Sequence, residues 1–592
     1  MRQPETKTCQ NCKASFAIDA SDFQFYEKIK VPPPTFCPEC RMQRRYAWRN
    51  ERVLFKTKCT HCGKDIFSGY HPSSPFPVYC HDCWFSDVWD PFAYGKEYDF
   101  SKSFFAQFKE LFDRVPRLNL WQLNCVNSPY SNIIRDAKNC YLSFSMVGGE
   151  EVFYSKNIDH SNQLFDCLTV TNSEQCSWNV YGDKNYNVHY SVIVRSCLDS
   201  LFLFDCHNAR NCFMSSNLRN NEFMFRNKQL TKEKYQEELK KIDIGSRAVF
   251  DSLRREFEEM RRLALHKYAD IVKSVNSTGD ALRNVKNARE CFDGYDIEDV
   301  SYGQRVLQLK DAMDVSNTGV GSELIYEYIS GGEAERNLKF SIASFGSLQD
   351  CTYAGWCKSS SNLFGCFGMK DGHYCILNKQ YSKEEYENLM PQVVRHMNEM
   401  PYIDTAGRVY RYGEFFPIEL SPFAYNQSVA QEYFPLGKNE IFDRGYHWRE
   451  PEVKNPVIDV GPQDLPDHIR EVNDGILKQT ISCTHDGQCL DQCTLAFRIV
   501  PRELEFYKFH NFSLPRLCPN CRHYERLRQK NPWRLWHRAC QCVGAQSANG
   551  AYTNTAKHSH GATHCPNEFE TSYPPERPEI VYCEQCYQAE VI

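Results

Sequence analysis

Asp136 to Ile158 reads DAKNCYLSFSMVGGEEVFYSKNI, and it opens four similar lines that begin at Asp136, Asp159, Asp183 and His207, spaced by 23, 24 and 24 residues. NCYLS, NQLFD, NVHYS and NCFMS recur at one place in these lines, and EVFYS, EQCSW, SLFLF and NEFMF recur half a line later. Short β-rich pieces every 12 residues or so, two to a turn, predict a solenoid of β-strands. The register returns between Asn287 and Gln380, where Ala288, Ala312, Arg336 and Ser360 are each 24 apart.

Both blocks close alike, on NKQLTKEKY (Asn227 to Tyr235) and NKQYSKEEY (Asn378 to Tyr386), with Ser382 and Glu385 spaced as a capping box. Each four-turn block is therefore expected to end in a capping helix that hides its last open edge. Between the blocks, Phe250, Leu253, Phe257, Met260, Ala264, Tyr268 and Ile271 step by three and four, which predicts an amphipathic helix packed on its own solenoid.

The 30 cysteines of this 592-residue chain divide by spacing. Cys9, Cys12, Cys37 and Cys40 form two CxxC pairs 24 residues apart; Cys59, Cys62, Cys80 and Cys83 repeat the scheme with a gap of 17. Four thiolates satisfy tetrahedral zinc and leave no open position, so such sites are structural. Near the other end Cys493, Cys518 and Cys521 keep the 24-residue gap, with Cys489 as the simplest fourth ligand and Cys483 as a competitor. Cys565, Cys583 and Cys586 keep the gap of 17, and Cys542 is taken to complete the set across the insertion Val543 to His564, with Cys540, His560 and His564 as alternatives. About four structural Zn2+ per chain follow. The 12 cysteines from Cys125 to Cys375 lack CxxC spacing and are read as small buried hydrophobes.

The pattern CxxC, then Phe25-Tyr26 or Phe506-Tyr507, then CPxCR resembles the probable zinc-ribbon (treble-clef type) family found in uncharacterised bacterial proteins, over about 35 residues at each end; the repeats between resemble a right-handed parallel β-helix. The ribbon resemblance implies zinc binding and, by looser analogy, contact with nucleic acid. The expected fold is multidomain and mainly β, with paired zinc ribbons at both termini flanking two β-solenoid blocks. In order these are ribbon 1 with a basic helix (1–58), ribbon 2 (59–95), a helical connector (96–125), block 1 (126–228), a helical capping segment (229–285), block 2 (286–380), a capping helix (381–400), a Pro- and aromatic-rich connector (401–480), ribbon 3 with a basic segment (481–538) and ribbon 4 (539–592).

After Cys40, residues Arg41, Arg44, Arg45, Trp48, Arg49 and Arg52 fall on one helical face, and Cys37 to Lys58 is +5 in a chain that is -5 overall. Cys518 to Arg538 is again +5, with Arg522, Arg526 and Lys530 at four-residue spacing. Arginine forks fit phosphate and tryptophan offers a stacking platform, so these nine residues are the candidate contacts to DNA or RNA. The alternatives are a solvated helix face, a protein-interaction scaffold and, by fold analogy alone, a carbohydrate-active β-helix protein. Neither a Gly-rich phosphate loop nor a GxSxG elbow occurs, and zinc enclosed by four thiolates does not activate water, so an enzyme is not expected. The N-terminal MRQPETKTCQNC lacks a signal-peptide pattern and no run approaches the roughly 18 apolar residues of a membrane span, which points to a soluble, cytoplasmic protein without a membrane partner.

Overall fold

The computed structural model describes residues 2–592 apart from 318, 330, 345, 453 and 454. The described chain is mainly β, with parallel strands in large sheets and 12 α-helices. In the first ladder Phe144 pairs with Lys156, Lys156 with Leu168, Leu168 with Val180, Val180 with Val192 and Val192 with Phe204, all parallel and all 12 residues apart. The pairing step is thus half the 24-residue turn read from the sequence: NCYLS, a bend between strands Asn132–Lys138 and Phe144–Phe153, meets EVFYS one step on through the parallel bridge of Tyr141 to Phe153.

Backbone geometry explains the short step. Asn157, His160, Gln163, Asp166, Thr169 and Asn172 all have φ between 43° and 61°, so the chain turns a left-handed corner at every third residue. Asn and Asp tolerate that conformation because their short polar side chains bond locally, whereas Thr169 and Ile193 carry a cost of roughly 1–2 kcal/mol there. The second ladder falls into two sheets, one stepping by 12 at Gly279 to Cys291 and Phe292 to Gln304, the other by 13 from Leu309 to Ser322, Glu323 to Arg336 and Arg336 to Gln349 and again by 12 from Ser361 to His373.

Small residues line the inside of these ladders. The backbone N–H of Cys140 donates to Ser128 Oγ at 3.0 Å, that of Cys167 to Ser155 Oγ at 2.9 Å and that of Cys197 to Asn185 Oδ1 at 3.0 Å. Eleven of the 12 central cysteines are buried and Cys125 is half-buried, packed among Val, Leu and Ile side chains. Burial pushes the Cys140 thiol up to about 11 and the Cys167 thiol up to about 12, so both stay protonated and serve as packing. In the folded protein a thiol reagent at neutral pH is expected to modify Cys125 well before Cys167, as read by peptide mass mapping. Equal rates would show that this core opens.

Each ladder ends in a short antiparallel pair and a helix: Met224–Phe225 with Lys228–Gln229 then Lys232–Lys240, and His373–Ile376 with Lys379–Gln380 then Lys383–Glu399. Thr231 Oγ1 caps the first, and the Ser382/Glu385 box caps the second. The helix between the ladders is Arg247–Leu263, so Ala264, its extended C-cap, and Tyr268 and Ile271 lie outside it. Its Phe250 and Phe257 sit 4.8 Å and 5.6 Å, ring to ring, from Tyr190 and Phe202 of the first ladder.

The termini cross over. Phe25 and Tyr26 pack edge-on against Tyr326 of the second ladder at 6.1 and 5.6 Å, and Phe104 lies 5.0 Å from Tyr353. At the other end Phe506 stacks on Phe165 of the first ladder at 4.0 Å, and strand Ile580–Tyr582 pairs with Leu265–Lys267. The N-terminal cysteine-rich segments thus pack mainly on the second ladder and the C-terminal ones mainly on the first. The aromatic-rich stretch after Pro401 is ordered burial where described, with Phe415, Phe416 and Tyr425 in the core. No described helix is long and apolar enough to cross a membrane.

Candidate metal centres and the buried basic helices

The same local design builds each cysteine set. Strands Glu5–Thr8 and Ser15–Ile18 form a hairpin whose knuckle carries Cys9 and Cys12. Cys37 is the N-cap of helix Pro38–Tyr46, with proline at the first helical position, where its missing N–H costs nothing, and Cys40 in the first turn. A tetrahedral ion with metal–sulfur bonds of about 2.3 Å sets its sulfurs about 3.8 Å apart. Cys12 and Cys37 sulfurs are 3.7 Å apart, and the Cys37 N–H donates to Cys9 Sγ at 3.3 Å. The second set repeats this with Cys62 and Cys80 sulfurs 3.8 Å apart and the Cys80 N–H on Cys59 Sγ at 3.2 Å; Cys83 completes it.

In the third set Cys483, the competitor of Cys489, groups with Cys493, Cys518 and Cys521. Strand Ile481–Ser482 pairs with Ala496–Phe497 and leads into Cys483, whose sulfur accepts the Cys518 N–H at 3.2 Å, as Cys9 accepts that of Cys37. Cys483 lies 3.8 Å from Cys521, and Cys493 lies 4.0 Å from Cys518. The knuckle is lengthened by an insertion, which hides the match; Cys489 lies on that insertion, its sulfur 3.7 Å from Cys521.

The fourth set is Cys540, Cys565, Cys583 and Cys586, so Cys540 takes the place given to Cys542. Cys540 follows strand Trp536–Ala539 and its sulfur accepts the Cys583 N–H at 3.3 Å; Cys565 and Cys583 are 3.9 Å apart. The Cys540 side chain, outweighing burial, holds Cys583 down to about 4, the thiolate form that metals take. His564 turns its Nδ1 to the Cys565 carbonyl at 2.8 Å. Sulfurs at tetrahedral spacing, fed by backbone N–H groups, fit a metal ion such as zinc in all four sets.

The basic faces beside the knuckles point inward. Arg41 is 2% exposed, Arg44 1% and Arg45 0%. Arg41 Nε lies 2.8 Å from Asp314, Arg44 bridges Glu327 at 2.6 Å and Glu414 at 2.8 Å, and Arg45 donates to Ser316 and Gln304 with Asp314 at 3.6 Å. Trp48 is buried, its indole N–H on the Pro417 carbonyl at 3.2 Å. Arg49 pairs with Glu51 at 2.6 Å, and Arg52 reaches Asn520 at 3.0 Å over the Phe144 ring.

The C-terminal copy repeats the device on the other ladder. Arg522 lies 3.0 Å from Asp166 and 3.1 Å from Glu503, and Arg526 lies 2.6 Å from the same Asp166, while Lys530 reaches Asp293 of the second ladder at 2.7 Å. In each copy two arginines four residues apart converge on one buried aspartate. Burial alone lowers the Arg41 and Arg522 pKa values, but Asp314 with Tyr26 and Tyr326, and Asp166 with Tyr507 and Glu503, together hold both well above the ordinary range.

Between the two basic helices Lys156 bridges Glu51 at 2.7 Å and Glu432 of helix Val429–Tyr433 at 2.5 Å, and His523 of helix Pro519–Leu527 lies 3.6 Å from Glu432. Burial raises the Glu432 carboxyl, yet Lys156 and His523 hold it down to about 2. None of the nine residues expected to contact nucleic acid presents an open cationic face, because each is turned into the interior or onto a neighbouring element. Their carboxylate partners Asp166, Asp314 and Glu327 come from the repeats, where no local signal marks an acid that faces a distant helix. No protein-family model and no curated protein matches this chain.

Proposed function

We propose that the chain is a zinc-folded scaffold: two β-solenoids of 12-residue coils, locked across one another by four zinc ribbons, whose outer faces bind protein. It acts neither as a catalyst nor by gripping phosphates. The observation that carries this reading is the internal neutralisation of both arginine-rich helices by Asp314, Glu327, Glu414, Glu503 and Asp166. A buried, paired guanidinium offers nothing to a nucleic acid backbone.

The exposed side of the repeats supports the same conclusion. It carries neutral and paired ladders such as Asn127 on Asn139 at 2.9 Å, Asn187 on Asp199 at 2.7 Å, and Lys286 and Lys310 on Glu298 at 2.7 and 3.1 Å. Ladders of this kind make no continuous cationic stripe. Each of the four sets closes on four cysteine thiolates and leaves no coordination position for water, which supports a folding role for zinc.

Filter binding of the zinc-loaded chain to single- and double-stranded DNA and RNA tests the proposal. Retention is expected to stay at background at about 50 mM salt, where phosphate contacts are strongest. Binding that weakens steeply as salt rises would overturn it, since that slope counts neutralised phosphates.

A further inference from the structure

The insertion in the last ribbon brings in more ligands than one ion can use. Cys542, His558, His560 and Cys586 form a second set whose ligand atoms lie within 4.8 Å of one another, beside Cys540, Cys565, Cys583 and Cys586. We propose that the last ribbon holds two zinc ions that share the Cys586 thiolate. The inference rests on the ribbon reading above, and its test separates the two.

The ligand arithmetic closes on two tetrahedra. Five cysteines and two histidines supply seven ligand atoms, and one bridging sulfur fills the eighth position. A single ion would leave a buried thiol and two imidazoles idle around it. Two dications also nearly neutralise the five thiolates, which matters where every cysteine is buried.

Both imidazoles are set for this task. His560 Nδ1 donates to the Thr563 carbonyl at 2.7 Å, which fixes the tautomer and leaves Nε2, 3.4 Å from Cys586 Sγ, with its lone pair available. His558 Nε2 donates to Glu590 Oε1 at 2.9 Å and leaves the Nδ1 lone pair available. Glu590 is fixed in turn by the backbone N–H groups of Thr555 at 2.8 Å and Ala556 at 3.1 Å, and it rides on helix Glu584–Val591 with Cys586. A carboxylate or carbonyl on the outer nitrogen is the usual support of a metal-bound histidine. The thiolate of Cys542 is served likewise: Asn554 Nδ2 donates to it at 3.2 Å, and Asn554 Oδ1 accepts the Tyr582 hydroxyl at 2.8 Å.

The donor set of two sulfurs and two nitrogens suits zinc in tetrahedral geometry. Metal counting by native mass spectrometry on the full chain is expected to give five zinc ions, falling to four in His558→Ala/His560→Ala and staying at five in His564→Ala. Four ions in the unaltered chain would overturn the second site while sparing the ribbons; fewer than four would overturn both readings. Cadmium-113 NMR of the exchanged, unaltered protein gives a check that needs no substitution. Two resonances coupled through a shared sulfur are expected, and five uncoupled or four signals would overturn the bridge.

Discussion

Asp166→Ala is expected to cost about 3–5 kcal/mol of stability, because it removes the shared partner of two buried arginines. Arg522 keeps Glu503 at 3.1 Å, but Arg526 is left with the Tyr154 carbonyl at 2.9 Å and the Trp178 ring, and no carboxylate. An unpaired guanidinium that is 0% exposed then carries its desolvation cost uncompensated. Asp314→Ala should act alike on Arg41 and Arg45 at the other end. The exposed pair Lys383 and Glu387, 3.8 Å apart, is the control: Glu387→Ala should change stability by less than about 1 kcal/mol.

The double variant Asp166→Leu/Arg526→Met separates charge from shape. It removes one charge of each sign, leaves Arg522 on Glu503, and should recover much of the loss. Urea midpoints at constant zinc give all four values. If Asp166→Ala costs no more than the surface control, the arginines are not held as the geometry implies, and their burial would need another cause.

These experiments bear on what the sequence makes legible. The 24-residue lines, the cysteine pairs and both capping helices are visible because each is a local pattern. The coil step is not, because pieces one step apart, such as NCYLS and EVFYS, differ while those two steps apart match; the longer period stands out although the first ladder pairs every 12 residues. Cys483 and Cys540 escape the spacing rule because insertions stretch their knuckles beyond CxxC, and backbone N–H donation from Cys518 and Cys583 is what identifies them. The +5 stretches have the same letters whether they face water or carboxylates. Only the crossing of the N-terminal cysteine-rich segment onto the second ladder, and the C-terminal one onto the first, brings Asp314 to Arg41 and Asp166 to Arg522.

That crossing also sets what metal removal should do. Helix Pro38–Tyr46 has 9 residues and Pro519–Leu527 has 9, each too short to persist alone, and each begins on a cysteine of a metal set. A structural zinc contributes about 10–16 kcal/mol to the folding of a small module at neutral pH, comparable to or above the whole stability of a typical domain. Stripping zinc with a strong chelator is therefore expected to release both helices, strand their arginines and uncouple the two ladders. Circular dichroism should retain β signal from the ladders while limited proteolysis cuts first within residues 1–58 and 481–538. Single substitutions then assign the ligands. Cys483→Ser should lose one zinc ion and most of the cooperative transition, whereas Cys489→Ser should keep the ion and shift the midpoint little. The reverse outcome would return Cys489 to the third set and show that the lengthened knuckle closes on its nearer cysteine.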